Sequence, residues 1–215
     1  MAKINFAHFI DNTEVEGPGK RFALWVQGCL RHCPGCCNPQ FLDLIPRTIS
    51  DPQSVCSKII DSQEKNGIEG VTFLGGEPML QAEGLSEVAK FCRKNGLSVM
   101  TFTGYKIEEL LSGDIPFATS LLQYTDLLVD GAFEKNNPEL KRNWAGSTNQ
   151  QFHYLTDFYR KGLEYDERFS HGFELRIQPD GTLLSNGFPW GKDISTVFSQ
   201  TNTQNRSKKY GADVI

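Results

Sequence analysis

Three cysteines within an eight-residue stretch have the type and the spacing of a metal-ligating loop. They are Cys29, Cys33 and Cys36, in the string C-L-R-H-C-P-G-C. Iron–sulfur clusters are normally held by four cysteine thiolates, so a loop with three would leave one iron free to bind a substrate or cofactor. Catalytic zinc sites likewise keep one coordination position open. The loop therefore favours a catalytic iron–sulfur site.

Two other uses of these thiols stay open on spacing alone. A structural zinc site usually combines two cysteine pairs, or one pair with two histidines, and only His32 and Cys37 lie near enough to add ligands. A thioredoxin-like redox site could use Cys33 and Cys36, but it would leave Cys29 without a role. His32 is more typical of an exposed loop residue, because thiolates dominate cluster ligation.

The remaining cysteines are interpreted as bystanders. Cys37 follows Cys36 directly, and adjacent ligands to one cluster are geometrically awkward, so we predict that Cys37 is not a ligand. Cys92 lies at helical spacing from Leu85, which predicts a position in the core. Cys56 stands alone in the sequence.

Composition excludes several classes of function. Of the 215 residues, 39% are hydrophobic and 22% charged, as in ordinary globular proteins, and the net charge of -4 lacks the basic footprint of a nucleic-acid-binding protein. No apolar run approaches the roughly 18 residues of a membrane span, and the start lacks a secretory signal. We therefore expect a cytoplasmic protein that binds neither nucleic acid nor membranes, and whose cysteines ligate metal rather than form disulfides.

Alternating strands and helices are predicted to position the cysteine loop. The predicted strands are 22–27, 70–74, 97–102 and 126–129, and the predicted helices are about 51–66, 81–94 and 107–111. This alternation implies right-handed crossovers and a mainly parallel sheet. Because four strands cannot close an eight-stranded barrel, we predict an α/β fold that forms a partial, open TIM-like barrel.

Each predicted strand ends in a polar or glycine-rich loop. These loops are the cysteine loop, G-G-E-P at 75–78, T-G-Y at 103–105 and D-G at 130–131. Ligands of parallel α/β proteins gather at the carboxyl ends of the strands, so we expect the four loops to converge on one rim.

Two features are predicted near the carboxyl end. The stretches 173–178 and 182–185, separated by Pro179-Asp180-Gly181, predict an antiparallel hairpin. From about residue 199 the chain is rich in Gln, Asn, Thr, Ser and Lys, which predicts a poorly ordered, flexible tail. We therefore expect one domain over residues 1–198 and a tail over 199–215.

The cysteine spacing followed by G-G-E-P resembles the radical S-adenosylmethionine (SAM) superfamily. Within it, four strings are similar to the activating proteins of anaerobic ribonucleoside-triphosphate reductase, which are glycyl-radical-enzyme activases. The strings are W-V-Q-G-C-L-R-H-C-P-G-C-C-N-P, F-L-G-G-E-P-M, F-T-G-Y and D-L-L-V-D-G-A-F, with W-A-G-S-T-N-Q as a weaker fifth. The likeness spans roughly residues 20 to 190. Cys37 and Ala145 depart from it, standing where relatives usually carry a large side chain and an arginine.

The resemblance implies the cofactors and the reaction. Cys29, Cys33 and Cys36 would hold a [4Fe-4S] cluster whose fourth iron binds the amino and carboxylate groups of SAM. Reductive cleavage of SAM would give methionine and a 5'-deoxyadenosyl radical, which abstracts hydrogen from a glycine of the partner enzyme, an anaerobic ribonucleotide reductase. A flavodoxin- or ferredoxin-type protein would supply the electron.

The resemblance also assigns cofactor-binding residues. Gly75, Gly76 and Glu77 match the segment that contacts the SAM amino group; glycines permit close backbone approach, and a carboxylate suits an ammonium. Thr103 and Asp130 match strand-end positions that in pyruvate formate-lyase activases help to order SAM through a monovalent cation. Asp130 could equally contact the substrate chain.

Gly35 is expected to shape a tight backbone around the cluster sulfurs, together with Gly28 and Pro34. An alternative interpretation is that glycine and proline are present here only because they favour turns.

Two alternative functions stay open from the sequence. One keeps the radical chemistry but acts on a small molecule, such as the deazapurine precursor of carboxy-deazaguanine synthases. The other is a zinc- or cluster-binding docking protein without turnover.

Overall fold

The computed structural model describes residues 2–169, 172–177, 179–181 and 183–187. The predicted tail at 199–215 lies outside these residues. No helix in the described part of the chain is long and apolar enough to cross a membrane.

A seven-stranded open sheet forms the centre of the fold. Its strands are β1 (Ile4–Thr13), β2 (Arg21–Val26), β3 (Thr48–Ser50), β4 (Gly70–Gly75), β5 (Ser98–Phe102), β6 (Leu127–Asp130) and β7 (Gln151–Tyr154), in the order β3-β1-β2-β4-β5-β6-β7. Strands β2, β4, β5 and β6 are parallel neighbours, whereas β1 and β7 run antiparallel to them. The predicted mainly parallel, open α/β sheet is confirmed.

In the described residues, four α-helices accompany the sheet: α1 (Pro52–Asn66), α2 (Ala82–Lys94), α3 (Ile107–Leu111) and α4 (Ala118–Leu122). The predicted start of α1 is confirmed, since the Asp51 side chain accepts a hydrogen bond from Ser54 N at 2.8 Å. The helix ends at Gly67, whose left-handed conformation (φ 65°) is the usual glycine stop.

The two faces of the sheet carry different cores. Phe22, Leu24, Phe73, Val99 and Leu128 point to one face and form a large buried cluster with residues of α1, α2 and α4. The alternate residues of the same strands point to the other face, where they form two smaller clusters. One is centred on Trp25 and Leu74, and the other on Met100, Val129 and Trp144. Strands buried on both faces are expected to be continuously apolar, as β2 is from Phe22 to Val26.

The sequence patterns missed several elements. The four predicted strands and three predicted helices are all present, with no bound shifted by more than one residue. Strands β1, β3 and β7 and helix α4 were not predicted. Three of them, β3, β7 and α4, are short elements whose pattern is weak; β7, for instance, alternates Phe152 and Tyr154 with the polar Gln151 and His153. β1 is a ten-residue strand in which polar residues interrupt the apolar ones, so its pattern is also weak.

The predicted hairpin is confirmed as β8 (Phe173–Ile177) and β9 (Leu183–Gly187). The two strands pair antiparallel with each other and form a separate two-stranded sheet.

Candidate active site

One cavity of about 760 Å³ lies on the sheet face that α1 and α2 do not cover. This volume is typical of a pocket for a small molecule or cofactor. Its walls include the three predicted ligands and residues of the neighbouring strand ends, namely Cys29, Cys33, Cys36, Gly75, Gly76, Glu77, Thr103 and Gly104. The predicted convergence of the cysteine loop, G-G-E-P and T-G-Y is thus present in the structure.

The cysteine loop leaves the end of β2 and is braced there by backbone hydrogen bonds. Gly28 N donates to Phe41 O at 2.8 Å, and Cys29 N donates to Leu42 O at 2.9 Å. A turn between the other two ligands is closed by Cys36 N donating to Cys33 O at 3.0 Å. The first two contacts join the start of the loop to the segment that follows it, and the third closes the turn that carries Cys33 and Cys36.

Gly35 occupies the turn in the left-handed region, with φ 76°. A Cβ at this position would lie 2.9 Å from Cδ of Lys135. The structure therefore places Gly35 as a turn residue of the cysteine loop, and it is not one of the residues that line the cavity.

Backbone amides already point at two of the sulfurs. Arg31 N donates to Cys29 Sγ at 3.3 Å, and Asn38 N donates to Cys36 Sγ at 3.4 Å. A hydrogen bond from the Cys37 thiol lowers the pKa of Cys36 to about 6. Hydrogen bonds to ligating sulfurs set the reduction potential of iron–sulfur clusters, so the loop carries the groups that would tune one.

The donor set fits an iron–sulfur cluster. Cys29, Cys33 and Cys36 offer soft thiolate ligands to a single cavity, which is the ligand chemistry that such clusters require. In the described residues, no group of three or more His, Cys, Asp or Glu side chains is already drawn around one point. Metal binding and ligand arrangement are coupled, so the final geometry of such a loop forms when the metal binds.

Glu77 is 1% exposed and is held by three hydrogen bonds. Its Oε1 accepts from Thr103 Oγ1 at 2.8 Å and from Met79 N at 3.0 Å, and its Oε2 accepts from Gly104 N at 2.8 Å. Burial raises the pKa of the Glu77 carboxyl, whereas these hydrogen bonds favour the carboxylate. Glu77 thus ties the end of β4 to the end of β5 at the wall of the cavity.

Gly75 and Gly76 allow the end of β4 to lie against the base of the cysteine loop. A Cβ on Gly75 would lie 2.7 Å from Trp25 Cα, and one on Gly76 would lie 2.3 Å from Gly28 O. Glu77 N donates to the same Gly28 carbonyl at 2.9 Å. The glycine pair therefore brings two loops into backbone contact, a distance that any side chain would prevent.

Asp130 is buried beside the cavity and does not line it, although the following Gly131 does. Its Oδ2 accepts from Ile107 N at 2.7 Å and lies 2.9 Å from His153 Nε2. Asp130 thus connects β6 to the start of α3 and to β7. His153 was not singled out in the sequence, because a lone histidine in a polar stretch gives no signal.

The W-A-G-S-T-N-Q segment is folded onto the D-G-A-F loop. Asn149 Nδ2 donates to Ala132 O at 2.7 Å, and Gln150 Nε2 donates to Gly131 O at 3.1 Å. Gln150 also lines the cavity. Two of the sequence strings that carry the resemblance therefore form one wall of the cavity.

Two charged residues of the cavity were missed by sequence reasoning. Arg31 lies 4.8 Å from the centre of the Tyr105 ring and pairs with Glu109 at 3.2 Å, which links the cysteine loop to α3. Glu16 is buried in the cavity wall, and burial raises its pKa to about 7. Its position depends on a loop that folds over the sheet, which no local pattern reveals.

Comparison with known proteins gives a consistent set of relatives. Residues 15–153 match the family described as 4Fe-4S single cluster domain. The anaerobic ribonucleoside-triphosphate reductase-activating protein of Enterobacteria phage T4 is 33% identical over 150 residues, which are 66% of this chain and 89% of that protein. The proteins of the same name from Vibrio cholerae and Escherichia coli K12 are 31% and 28% identical over 160 residues, 71% of this chain and 99% of theirs.

A solved structure, that of QueE from Escherichia coli, covers 48% of this chain and 52% of its own at 18% identity, with a TM-score of 0.39. This likeness is too low to carry an argument.

Proposed function

We propose that this chain, which belongs to the family of anaerobic ribonucleoside-triphosphate reductase-activating proteins and carries their 4Fe-4S domain, is a radical SAM activase. Its product would be a glycyl radical on a partner reductase. The observation that supports this most directly is the shared cavity of the three cysteines, the G-G-E-P end and the T-G-Y end.

The chain's own residues would hold the cofactors. Cys29, Cys33 and Cys36 would ligate the cluster, and the cavity beside them would receive SAM against Gly76 and Glu77. The cluster and SAM would together supply a 5'-deoxyadenosyl radical able to abstract a hydrogen atom. The protein would bind and orient the cofactors and provide the charged groups around them.

Glu77 has the charge needed to attract the SAM ammonium group. Three protein donors already orient its carboxylate, so little reorganisation would accompany binding. Each carboxylate oxygen has two lone pairs, which leaves Oε2 able to accept a further hydrogen bond. Thr103 would act by holding Glu77, and Asp130 by holding the loop between Thr103 and Ile107.

The walls of the cavity would keep water from a reactive radical. Trp25, Leu74, Phe102 and Trp144 line it with apolar surface. Excluding water from an enclosed site prevents side reactions of intermediates.

The electron donor is proposed to be a flavodoxin- or ferredoxin-type protein. Leu30 lies in the cysteine loop and is 57% exposed, so the loop presents an apolar contact at the surface next to the ligands. A small electron carrier could approach the cluster there.

Anaerobic reconstitution with iron and sulfide tests the proposal. With dithionite and SAM, the protein should produce methionine and 5'-deoxyadenosine and should generate a glycyl electron-spin signal on an anaerobic ribonucleotide reductase. Omission of SAM is the matched control. Cleavage of SAM without any glycyl signal on the reductase would reject the partner assignment, and one zinc per chain without visible absorption would reject the radical chemistry.

A further inference from the structure

Hairpin β8–β9 lies outside the region that matches the family, which ends at residue 153. Within the part of the chain that the structure describes, its strands pair only with each other, yet β9 reaches the cavity that contains the cysteines. The residues of β9 that line this cavity are Leu184, Ser185, Asn186 and Gly187. The hairpin therefore supplies one wall of the cavity from outside the stretch that matches the 4Fe-4S single cluster domain.

The hairpin is docked onto the segment that follows β1. Glu174 Oε1 accepts a hydrogen bond from Glu14 N at 3.0 Å, and the Arg176 guanidinium donates to the carbonyl of Asn12. Arg176 also pairs with Glu174 at 2.7 Å. A two-stranded hairpin is marginally stable by itself, so these contacts determine where it lies.

A second set of contacts lies at the edge of the cavity. Gly187 N donates to Glu16 Oε1 at 2.8 Å, and Asn186 Nδ2 donates to Thr13 Oγ1 at 3.0 Å. Gly187 has φ 90°, and a Cβ there would lie 2.5 Å from Gly172 O. The two hydrogen bonds therefore hold the end of β9 against the end of β1 and the residues that follow it.

Asn186 has an unused acceptor at this wall. Its Oδ1 is buried and has no hydrogen-bond partner among the residues that the structure describes. Leaving a buried acceptor unpaired is unfavourable, and most such groups in folded proteins have a partner. Asn186 is itself one of the residues that line the cavity, so a turn of its side chain would present this acceptor to a ligand that brings an O–H or N–H donor.

We propose that hairpin β8–β9 is a wall of the cofactor cavity that shields the cysteine loop from dissolved reagents, and that Asn186 accepts a hydrogen bond from a hydroxyl or amino group of bound SAM. The proposal rests on the proposed function, since it takes SAM as the occupant. Asn186 is then a binding residue, whereas Glu174 and Arg176 are positioning residues that act through the hairpin.

Three variants separate these roles. Arg176→Ala loosens the docking without altering a cavity-lining residue, Asn186→Ala removes the acceptor, and Ile177→Ala, at a 79% exposed position of β8, is the matched control. Each protein is reconstituted anaerobically. The readouts are the rate at which bathophenanthroline disulfonate removes iron, and the Kd for SAM by equilibrium dialysis without reductant.

We expect Arg176→Ala to accelerate iron removal, and Asn186→Ala to raise the Kd for SAM about tenfold, as loss of one ordinary hydrogen bond would. Ile177→Ala should match the wild type in both measurements. Circular dichroism checks that each variant is folded; should Arg176→Ala unfold, Glu174→Gln weakens the same docking.

Unchanged iron removal in the docking variants would overturn the shielding role, and an unchanged Kd in Asn186→Ala would overturn the contact. Both results would leave the proposed function standing, provided that the wild type takes up its cluster and binds SAM. A wild type that did neither would refute the proposed function, and this inference with it.

Discussion

The two faces of the central sheet are built from different chemistry. The face under α1, α2 and α4 is closed by one large cluster of aliphatic and aromatic side chains. The opposite face has smaller apolar clusters, a cavity, and buried charged groups that include Glu16, Arg21 and Glu77. The first face buries mainly apolar side chains, whereas the second carries the cost of buried charged groups, two of which, Glu16 and Glu77, line the cavity.

Arg21 illustrates the cost on the cavity face. Its guanidinium is fully buried and donates to Thr72 Oγ1 at 2.7 Å, Ser98 Oγ at 3.0 Å and Tyr159 OH at 2.9 Å. It also donates to Pro18 O at 3.0 Å, which anchors the loop that carries Glu16. Burying a charge is costly, so Arg21 contributes little to the overall stability of the fold. Its hydrogen bonds instead hold the loop that carries Glu16 in one position.

The largest effect should come from the cavity face. Cys33→Ala removes one of the three proposed ligands, so we expect the protein to lose most of its iron. Mutating a residue that only hydrogen-bonds to a metal ligand typically costs up to about 100-fold in activity, so loss of a ligand itself should reduce SAM cleavage by more than that. Unfolding of the metal-free protein in urea should be nearly unchanged. Cys56→Ala, a buried cysteine of the helix-covered face, is the matched control. Retention of full cluster in Cys33→Ala would remove that cysteine from the ligand set.

The opposite result is expected on the helix-covered face. Leu85 of α2 is fully buried there, so Leu85→Ala should lower the free energy of unfolding by about 2–5 kcal/mol. Protein that remains folded should bind iron and SAM as the wild type does. Urea denaturation of the metal-free form measures the first effect, and Leu111→Ala, at an exposed position, is the control. A loss of SAM affinity in folded Leu85→Ala would show that the faces are coupled.

The helix-covered face was the easier one to predict from the sequence. Periodic apolar residues in α1 and α2 and the cap at Asp51 are local signals, and the strands between them follow from their composition. On the cavity face, the cysteines and G-G-E-P could be found because their spacing within a few residues is the signal. Glu16 and Asn186 could not be found, since they meet through loops far apart in the chain.

A pH experiment tests the electrostatics of the cavity face. Burial raises the pKa of Glu16 to about 7 from an ordinary 4.5, so the folded protein holds a proton that the unfolded chain releases between these values. The stability contributed by this group is fully present below pH 4.5 and is lost as the pH rises to about 7, a difference of roughly 3 kcal/mol.

Glu16→Gln should remove this contribution. The difference in unfolding free energy between wild type and variant should therefore change between pH 4.5 and pH 7.5, as measured by urea denaturation of the metal-free proteins. Glu14→Gln, at an exposed glutamate two residues away, is the matched control. Parallel pH profiles for wild type and Glu16→Gln would contradict a buried, protonated Glu16.

Two threonines near the end of β5 give the finest comparison of the faces. Thr103 points to the cavity and donates to Glu77 at 2.8 Å, whereas Thr101 lies on the helix-covered side and shares a 3.1 Å hydrogen bond with Thr125. Valine has the same shape as threonine, so Thr103→Val and Thr101→Val delete one hydroxyl each. Both should cost about 1–3 kcal/mol of unfolding free energy, because each leaves a buried partner short of a hydrogen bond.

Only Thr103→Val should also weaken SAM binding, since it alone releases a carboxylate at the cavity wall. Equilibrium dialysis of the reconstituted variants measures this difference, and urea denaturation of the metal-free forms confirms that both lose similar stability. Equal losses of SAM affinity would mean that binding follows stability in general. A loss confined to Thr103→Val would show that Glu77 and the hydroxyl that holds it belong to the cofactor site, and that the sheet separates binding from stability within two residues of one chain segment.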